Sequence, residues 1–288
     1  MRHRNAICTC ALLLASMPSL GAEIFYLDHD PSTGGYVGPI GPLVLSGEII
    51  PGDGERLVAR ILDDENRFLS QNKLFLASDG GDVAEALKIA KLVKSLFSEV
   101  IVAPLTGRCV SACFFIYAAA GRREADGERL IGINRPFIAE TDPAAPPPRD
   151  AALAENNALA QVRAFLQENA VPAYLVDEMF RHASDDAYWL SADDQKNLGY
   201  RSPWFKQFLA AKCAWDDQIE RDAYAGKRPI DDLKQMLKCR DRVTQEAAHK
   251  ALLLARPQKL KEEAAPTRHA RALTGGPAES VPPSSSSE

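Results

Sequence analysis

The chain has 288 residues, 46% of them apolar, and a formal net charge of −5. That suffices for one large core with appendages or for two small ones. The acidic balance and the absence of a basic stripe with interleaved aromatics exclude nucleic acid as an expected partner.

Residues 1–22 read as a signal peptide. Arg2 and Arg4 form a positive start, Ala6 to Ala15 a short apolar run, and Ser19-Leu20-Gly21-Ala22 a small-residue cleavage site after Gly21 or Ala22. An uncleaved anchor is the alternative, but the run is short for a hydrocarbon core of about 30 Å. No other segment is long and apolar enough to span. The expectation is an exported, periplasmic protein with no membrane span once the signal is removed. Cys8 and Cys10 leave with it. Cys109, Cys113, Cys213 and Cys239 remain, an even number for an oxidising compartment. Cys213 and Cys239 lie in a charged segment with little core of its own and are the expected disulfide. Cys109 and Cys113 lie in an apolar stretch and read as small buried residues. The alternative, a metal site at these two, lacks a second ligand pair at metal spacing. No metal or other cofactor is expected.

Residues 23–38, rich in Gly, Asp and Pro, read as an irregular arm. Leu43 to Ile49 is a strand closed by Pro51-Gly52, and Glu55 to Leu69 is a helix by its apolar spacing. Lys73 to Ser78 is a short buried strand, and Asp79-Gly80-Gly81 a turn. Asp82 then caps a helix to about Phe97, with Glu85, Lys88, Lys91 and Lys94 facing water. Val100 to Leu105 and Leu130 to Ile133 are core strands, with a fully buried helix from Ser111 to Ala120 between them. Pro143 to Pro148 is a Pro-rich insertion. Helices follow over 151–167, 172–181 and 191–199, with a brief strand at Tyr188-Trp189-Leu190. Charged helices over 205–224 and 229–254 come next. From Arg256 the periodicity is lost, and the Pro- and Ser-rich end reads as disordered. The layout is therefore a signal (1–22), an α/β domain (23–204), an accessory helical segment (205–255) and a disordered tail (256–288). Strands alternating with helices indicate parallel β/α units and a sheet covered on both faces.

Two short segments carry candidate chemistry. In Ser78-Asp79-Gly80-Gly81-Asp82 a strand turns into a helix. Glycines there let backbone N–H groups approach a ligand, and the helix start adds partial positive charge, which suits an oxyanion. An ordinary tight turn is the plain alternative. In Gly107-Arg108-Cys109-Val110-Ser111-Ala112-Cys113 a serine opens a buried helix beside the amide of the next residue. Taken alone, Ser111 reads as a helix cap.

The order and spacing of the two segments resemble the Clp protease proteolytic subunit and its relatives in the crotonase-like superfamily. In that family a Ser-Pro-Gly-Gly turn supplies an oxyanion amide, and a later G-x-x-x-S segment supplies the nucleophile. Here Asp79 stands where the family has Pro. Leu130 to Pro136 resembles the strand that ends in His-x-Pro. Ala151 to Met179 resembles the long "handle" region, and Asp185 through Gly199 the segment bearing the third triad member. The resemblance covers roughly residues 40–200 and implies an α/β fold with a spiral, repeated β-β-α core, to which C-terminal helices are added.

It also implies roles. Ser111 takes the nucleophile position, and the Gly80-Gly81 turn and the amides of Gly81 and Ala112 the oxyanion hole. Asn134 stands where the base should be His, and Asp185 or Asp186 lies beside the acid's place, which Ala187 occupies in the nearest alignment. An Asn amide cannot take the serine proton near neutral pH, so activity is expected to be impaired. His182 is the candidate substitute base, and a lysine of the 88, 91 and 94 set a further option. Arg108 and Arg135 are candidates for binding a carboxylate. Three functions follow: a secreted serine peptidase acting on peptides or unfolded protein, a non-catalytic binding or scaffold protein, and acyl-thioester chemistry, which export disfavours. Self-association into a homo-oligomer is implied through the handle helices.

Overall fold

The computed structural model describes residues 21–28, 41–104, 106–125, 127–136 and 148–263. Residues 1–20 of the expected signal, the Pro-rich insertion up to residue 147 and the tail beyond 263 lie outside the described residues.

The first segment departs from expectation. The arm begins as a strand, β1 (Glu23–Tyr26), antiparallel to β2 (Leu43–Ser46) in register from Glu23↔Ser46 to Tyr26↔Leu43. Ile24, Phe25 and Tyr26 are good strand formers, and pairing with β2 lets Tyr26 bury its ring. The single helix expected over 55–69 is two, α1 (Asp53–Asp63) and α2 (Glu65–Gln71). Asp64 leaves helical geometry at φ −143°, and its carboxylate accepts the Arg67 N–H, so it ends one helix and caps the next.

β3 (Lys73–Ala77) leads to α3 (Val83–Leu96), capped by the Asp82 carboxylate, which accepts the Glu85 N–H. Glu85 does not face water as expected: it is buried. Its carboxylate accepts the Gly54 N–H at 2.7 Å and Lys88 Nζ at 3.0 Å, which ties α1 to α3. Burial opposes the charge, but the Gly54 and Lys88 hydrogen bonds outweigh it and hold the carboxyl below its usual range.

β4 (Glu99–Val102), β5 (Cys109–Val110), α4 (Cys113–Ala119), β6 (Arg122–Ala125) and β7 (Ile131–Ile133) follow. Then come α5 (Pro148–Glu168), α6 (Ala173–Arg181), β8 (Tyr188–Trp189), α7 (Ala192–Leu198), α8 (Pro203–Cys213), α9 (Asp217–Tyr224) and α10 (Ile230–Glu263). β6 is absent from the sequence reading because RREA has no apolar run; it forms as an edge strand on β4.

The protein is mixed α/β with two sheets rather than one. The larger has the order β1-β2-β3-β4-β6, parallel except for β1, and the smaller β5-β7-β8. They join where β3 runs out: Ser78 N–H donates to Arg108 O at 2.8 Å, and Val110 N–H to Ser78 O at 2.9 Å. Every residue of α4 is buried, and it packs against α3 in the main core.

The helix expected over 205–224 is broken between α8 and α9, where Ala214 takes a left-handed conformation at φ 49°. Cys213 and Cys239 are bonded and join α8 to α10. α10 buries Ala248 and Leu252 in the main core and continues to Glu263, past the end expected at 255, so the tail expected from 256 starts as helix. Among the described residues, no helix is long and apolar enough to cross a membrane.

At the amino end of β4, Glu99 is buried beside Arg122 and 3.3 Å from Lys73. Burial, then the neighbouring Glu124 carboxyl, pushes Glu99 up to about 7 against the pull of Lys73. A carboxyl raised on folding leaves stability intact below its unfolded value of 4.5 and loses it as pH climbs to about 7. Glu99→Gln is expected to flatten the fall in urea midpoint across that window; an unchanged fall would show that Glu99 does not titrate there.

Candidate functional site

The candidate site lies at the carboxyl end of β3, where the chain passes from the larger sheet to the smaller. Open α/β sheets commonly place ligands outside this end of their strands. Ser78 is buried, and its hydroxyl accepts the Gly80 N–H at 3.1 Å, which folds the turn back on itself. The turn is then stitched to the segment after β2: Ile49 N–H donates to Gly80 O and Asp82 N–H to Ile49 O, both at 2.8 Å.

Both glycines are required by geometry. Gly80 has φ +112° and Gly81 φ +136°, values that other residues rarely adopt. A Cβ on Gly81 would lie 2.1 Å from Ile49 O. A Cβ on Gly80 would lie 2.7 Å from Ser111 Cβ, 3.1 Å from Val110 O and 3.2 Å from Ala112 N. The two candidate segments, far apart in sequence, are therefore in direct contact.

Ser111 is held in the left-handed region at φ +56°. Such a backbone costs a non-glycine residue roughly 1–2 kcal/mol. Its N–H donates to Gly132 O at 3.1 Å, and its carbonyl accepts the Phe114 N–H at 2.9 Å. Ser111 thus sits on a turn between β5 and α4 and is not part of the helix. Among the described residues, neither the Gly81 nor the Ala112 N–H donates to a backbone carbonyl. Beside the turn is a groove of about 850 Å³, lined in part by Gly47, Asp79, Gly80, Gly81, Thr106 and Arg108.

Asn134 is brought close by the smaller sheet. β5 pairs with β7 through Cys109↔Ile131 and Val110↔Gly132, and β7 pairs with β8 through Gly132↔Trp189 and Ile133↔Tyr188. One further step of the second ladder sets Asn134 opposite Ala187. Asn134 is buried, its Nδ2 donates to Ser184 O at 2.6 Å, and its Oδ1 is buried with no partner among the described residues.

None of the other candidates has a side chain bonded to Ser111, although Arg108 lines the groove. His182 ends α6 with both ring nitrogens toward carboxylates, Nδ1 at 3.1 Å from Asp186 and Nε2 at 3.6 Å from Glu178. Neither nitrogen is bonded to Ser111. Asp186 is engaged with His182, and Asp185 is exposed. Lys88 pairs with Glu55 and Glu85 and Lys94 with Glu168, while Lys91 is exposed. Arg108 makes a two-pronged ion pair with Asp79 across the two segments, at 2.6 and 3.2 Å. The Asp79 hydrogen bond, then its charge, raise the guanidinium above its ordinary value. Arg135 is exposed, and its backbone N–H donates to His182 O.

One feature was read otherwise from the sequence. Cys109 and Cys113 are buried, as expected, but they are bonded to each other with a Cα–Cα separation of 5.3 Å. A bonded pair is not available as thiolate metal ligands. An apolar neighbourhood looks the same for packed thiols and for a bridge; only the turn at Ser111 brings the two within bridging distance. The spacing of four residues within an even set of cysteines is the signal for the bridge in the sequence.

What this arrangement supplies is Ser111 packed against the Gly-Gly turn with the Ala112 amide nearby, and no side-chain base bonded to the serine among the described residues. No family model matches the chain, and no curated protein matches it. Among solved structures, it is similar to a mutant of ClpP1 from Listeria monocytogenes, at 20% identity over 56% of this chain and 88% of that one, with a TM-score of 0.39.

Proposed function

We propose that this chain is an exported serine-hydrolase-type protein of the peptidase kind, with Ser111 as the nucleophile position and hydrolysis impaired by Asn134. The observation that carries the reading is the contact between the bare Cα of Gly80 and Ser111, with the Ala112 amide beside it. In such a site the serine oxygen attacks a carbonyl carbon, and the amides of Gly81 and Ala112 receive the oxyanion. The groove beside the turn would take an extended peptide or unfolded segment. Its architecture is read as the spiral Clp-like core over 23–204 with an accessory helical segment, and self-association as a homo-oligomer is part of the reading. Two disulfides support an oxidising compartment, in keeping with export.

The missing step is deprotonation of the serine. An amide takes no proton near neutral pH, and loss of a triad base costs on the order of 10⁴-fold or more in kcat. Oxyanion stabilisation survives that loss. Asn134 also favours a second reading, a binding protein that keeps the groove without the chemistry.

Three outcomes are expected. Gly80→Ala, which forces a methyl group against Ser111, should lower stability by about 2 kcal/mol or more in urea unfolding; a neutral effect would break the contact on which the site depends. A fluorophosphonate probe should label the natural protein slowly and only at Ser111, and Asn134→His with Ala187→Asp should speed labelling by about tenfold or more. Labelling unaffected by Ser111→Ala would end the nucleophile reading, and no labelling in either protein would favour the binding reading. Light scattering at micromolar concentration should give more than the mass of one chain; the mass of one chain refutes self-association.

A further inference from the structure

We infer that the Cys109–Cys113 disulfide is a positioning clamp for Ser111, holding the serine turn in the conformation that the site requires. The inference rests on the reading of Ser111 as the nucleophile position and adds the device that orients it.

The bond ties β5 to the first residue of α4, and Ser111 is the middle residue of the segment it closes. That residue carries the unfavourable φ of +56°. Strained conformations at functional positions persist only where the surroundings over-determine them. Closing a ring across Val110, Ser111 and Ala112 restricts the dihedrals of these three residues. They are the ones that set Ser111 Cβ against Gly80 and keep the Ala112 amide nearby. The hydrogen bonds of Ser111 to Gly132 and Phe114 hold its N–H and its carbonyl from outside this ring, and the disulfide adds a covalent restraint on the residues to either side.

Stabilising the whole fold is a poor explanation for this bond. The chain-entropy gain from a disulfide grows with the loop it closes. Cys109–Cys113 has a sequence separation of 4, whereas Cys213–Cys239 has one of 26 and joins two helices. Both Cys109 and Cys113 are completely buried, so the bond is shielded from exchange with external thiols and is a fixed part of the turn.

The test is a thermal-melting cycle of four proteins: the natural chain, Ser111→Gly, Cys109→Ala with Cys113→Ala, and the triple variant. Glycine tolerates positive φ, so Ser111→Gly should raise the melting temperature by about 3 °C while the bond holds the turn. Without the bond the turn relaxes, and the same substitution should give no gain. Equal gains in both backgrounds overturn the clamp. Cys109→Val with Cys113→Ala provides a better-filled core if the first pair melts poorly. Loss of a cooperative melt in both cysteine pairs would make the bond a requirement of the fold and would also overturn the clamp.

A second readout separates the clamp from the function. In the Asn134→His, Ala187→Asp background, removing the two cysteines should slow fluorophosphonate labelling at Ser111 by about tenfold or more, with far-UV dichroism unchanged. Labelling that persists at full rate overturns the clamp. Absence of labelling with both cysteines present counts against the nucleophile reading alone, and the melting cycle still decides the clamp.

Discussion

Where Gly80 meets Ser111 there is no room for one further carbon atom, and most of the surrounding architecture serves that meeting. The two residues belong to different crossovers of the chain, each anchored separately. On the Gly80 side, β3 is clamped between β2 and β4, and α3 buries Ala86, Ile89, Ala90 and Val93. On the Ser111 side, α4 is buried around its whole circumference, including Phe114, Phe115, Ile116 and Tyr117. The larger apolar ones, Ile89, Val93, Phe114, Phe115 and Ile116, contribute roughly 1.5–3 kcal/mol each when removed from water. Packing of α3 against α4 therefore draws the two turns together with far more free energy than the left-handed serine costs. The site is a consequence of core packing in which two backbone segments are held closer than side chains would permit.

The polar groups near this meeting are unevenly partnered. Asn134 follows β7, which pairs with β5, and is buried, and its amide donates to Ser184 O. Its Oδ1 has no partner among the described residues, and an unsatisfied buried acceptor costs about 1–3 kcal/mol. Ala187, just beyond the β7–β8 pairing, offers only a methyl group, and the Gly81 and Ala112 N–H groups donate to no backbone carbonyl among the described residues.

The C-terminal helices change the body around the site. α10 lays Ala248 and Leu252 on the main core, and α8 contributes Phe205 and Leu209 to a smaller cluster with Trp215, Met236 and Val243. That cluster is modest, and the Cys213–Cys239 bond compensates by limiting the unfolded freedom of the segment. The two disulfides thus differ in scale: one joins helices across a long loop, the other acts within a single turn.

Much of the layout was legible in the residues themselves. The strand KLFLAS, the Asp82 cap, the apolar helix after Ser111 and the Gly-Gly turn are local patterns whose physics acts within a few residues. Glycine at positive φ and aspartate at a helix start mean nearly the same thing in any fold. The elements that were missed depend on partners far away. β1 and β6 are strands because β2 and β4 offer them edges, and Glu85 is buried because the Gly54 N–H reaches it. The sequence by itself determined those turns, buried strands and helices whose pattern is local, and that residue 134 is an amide that takes no proton near neutral pH. Only the tertiary structure decided that Gly80 touches Ser111, that Cys109 is bonded to Cys113 and that His182 is engaged by the carboxylates of Asp186 and Glu178. Those are distances between parts of the chain with no local preference for one another, and packing of the whole core sets them.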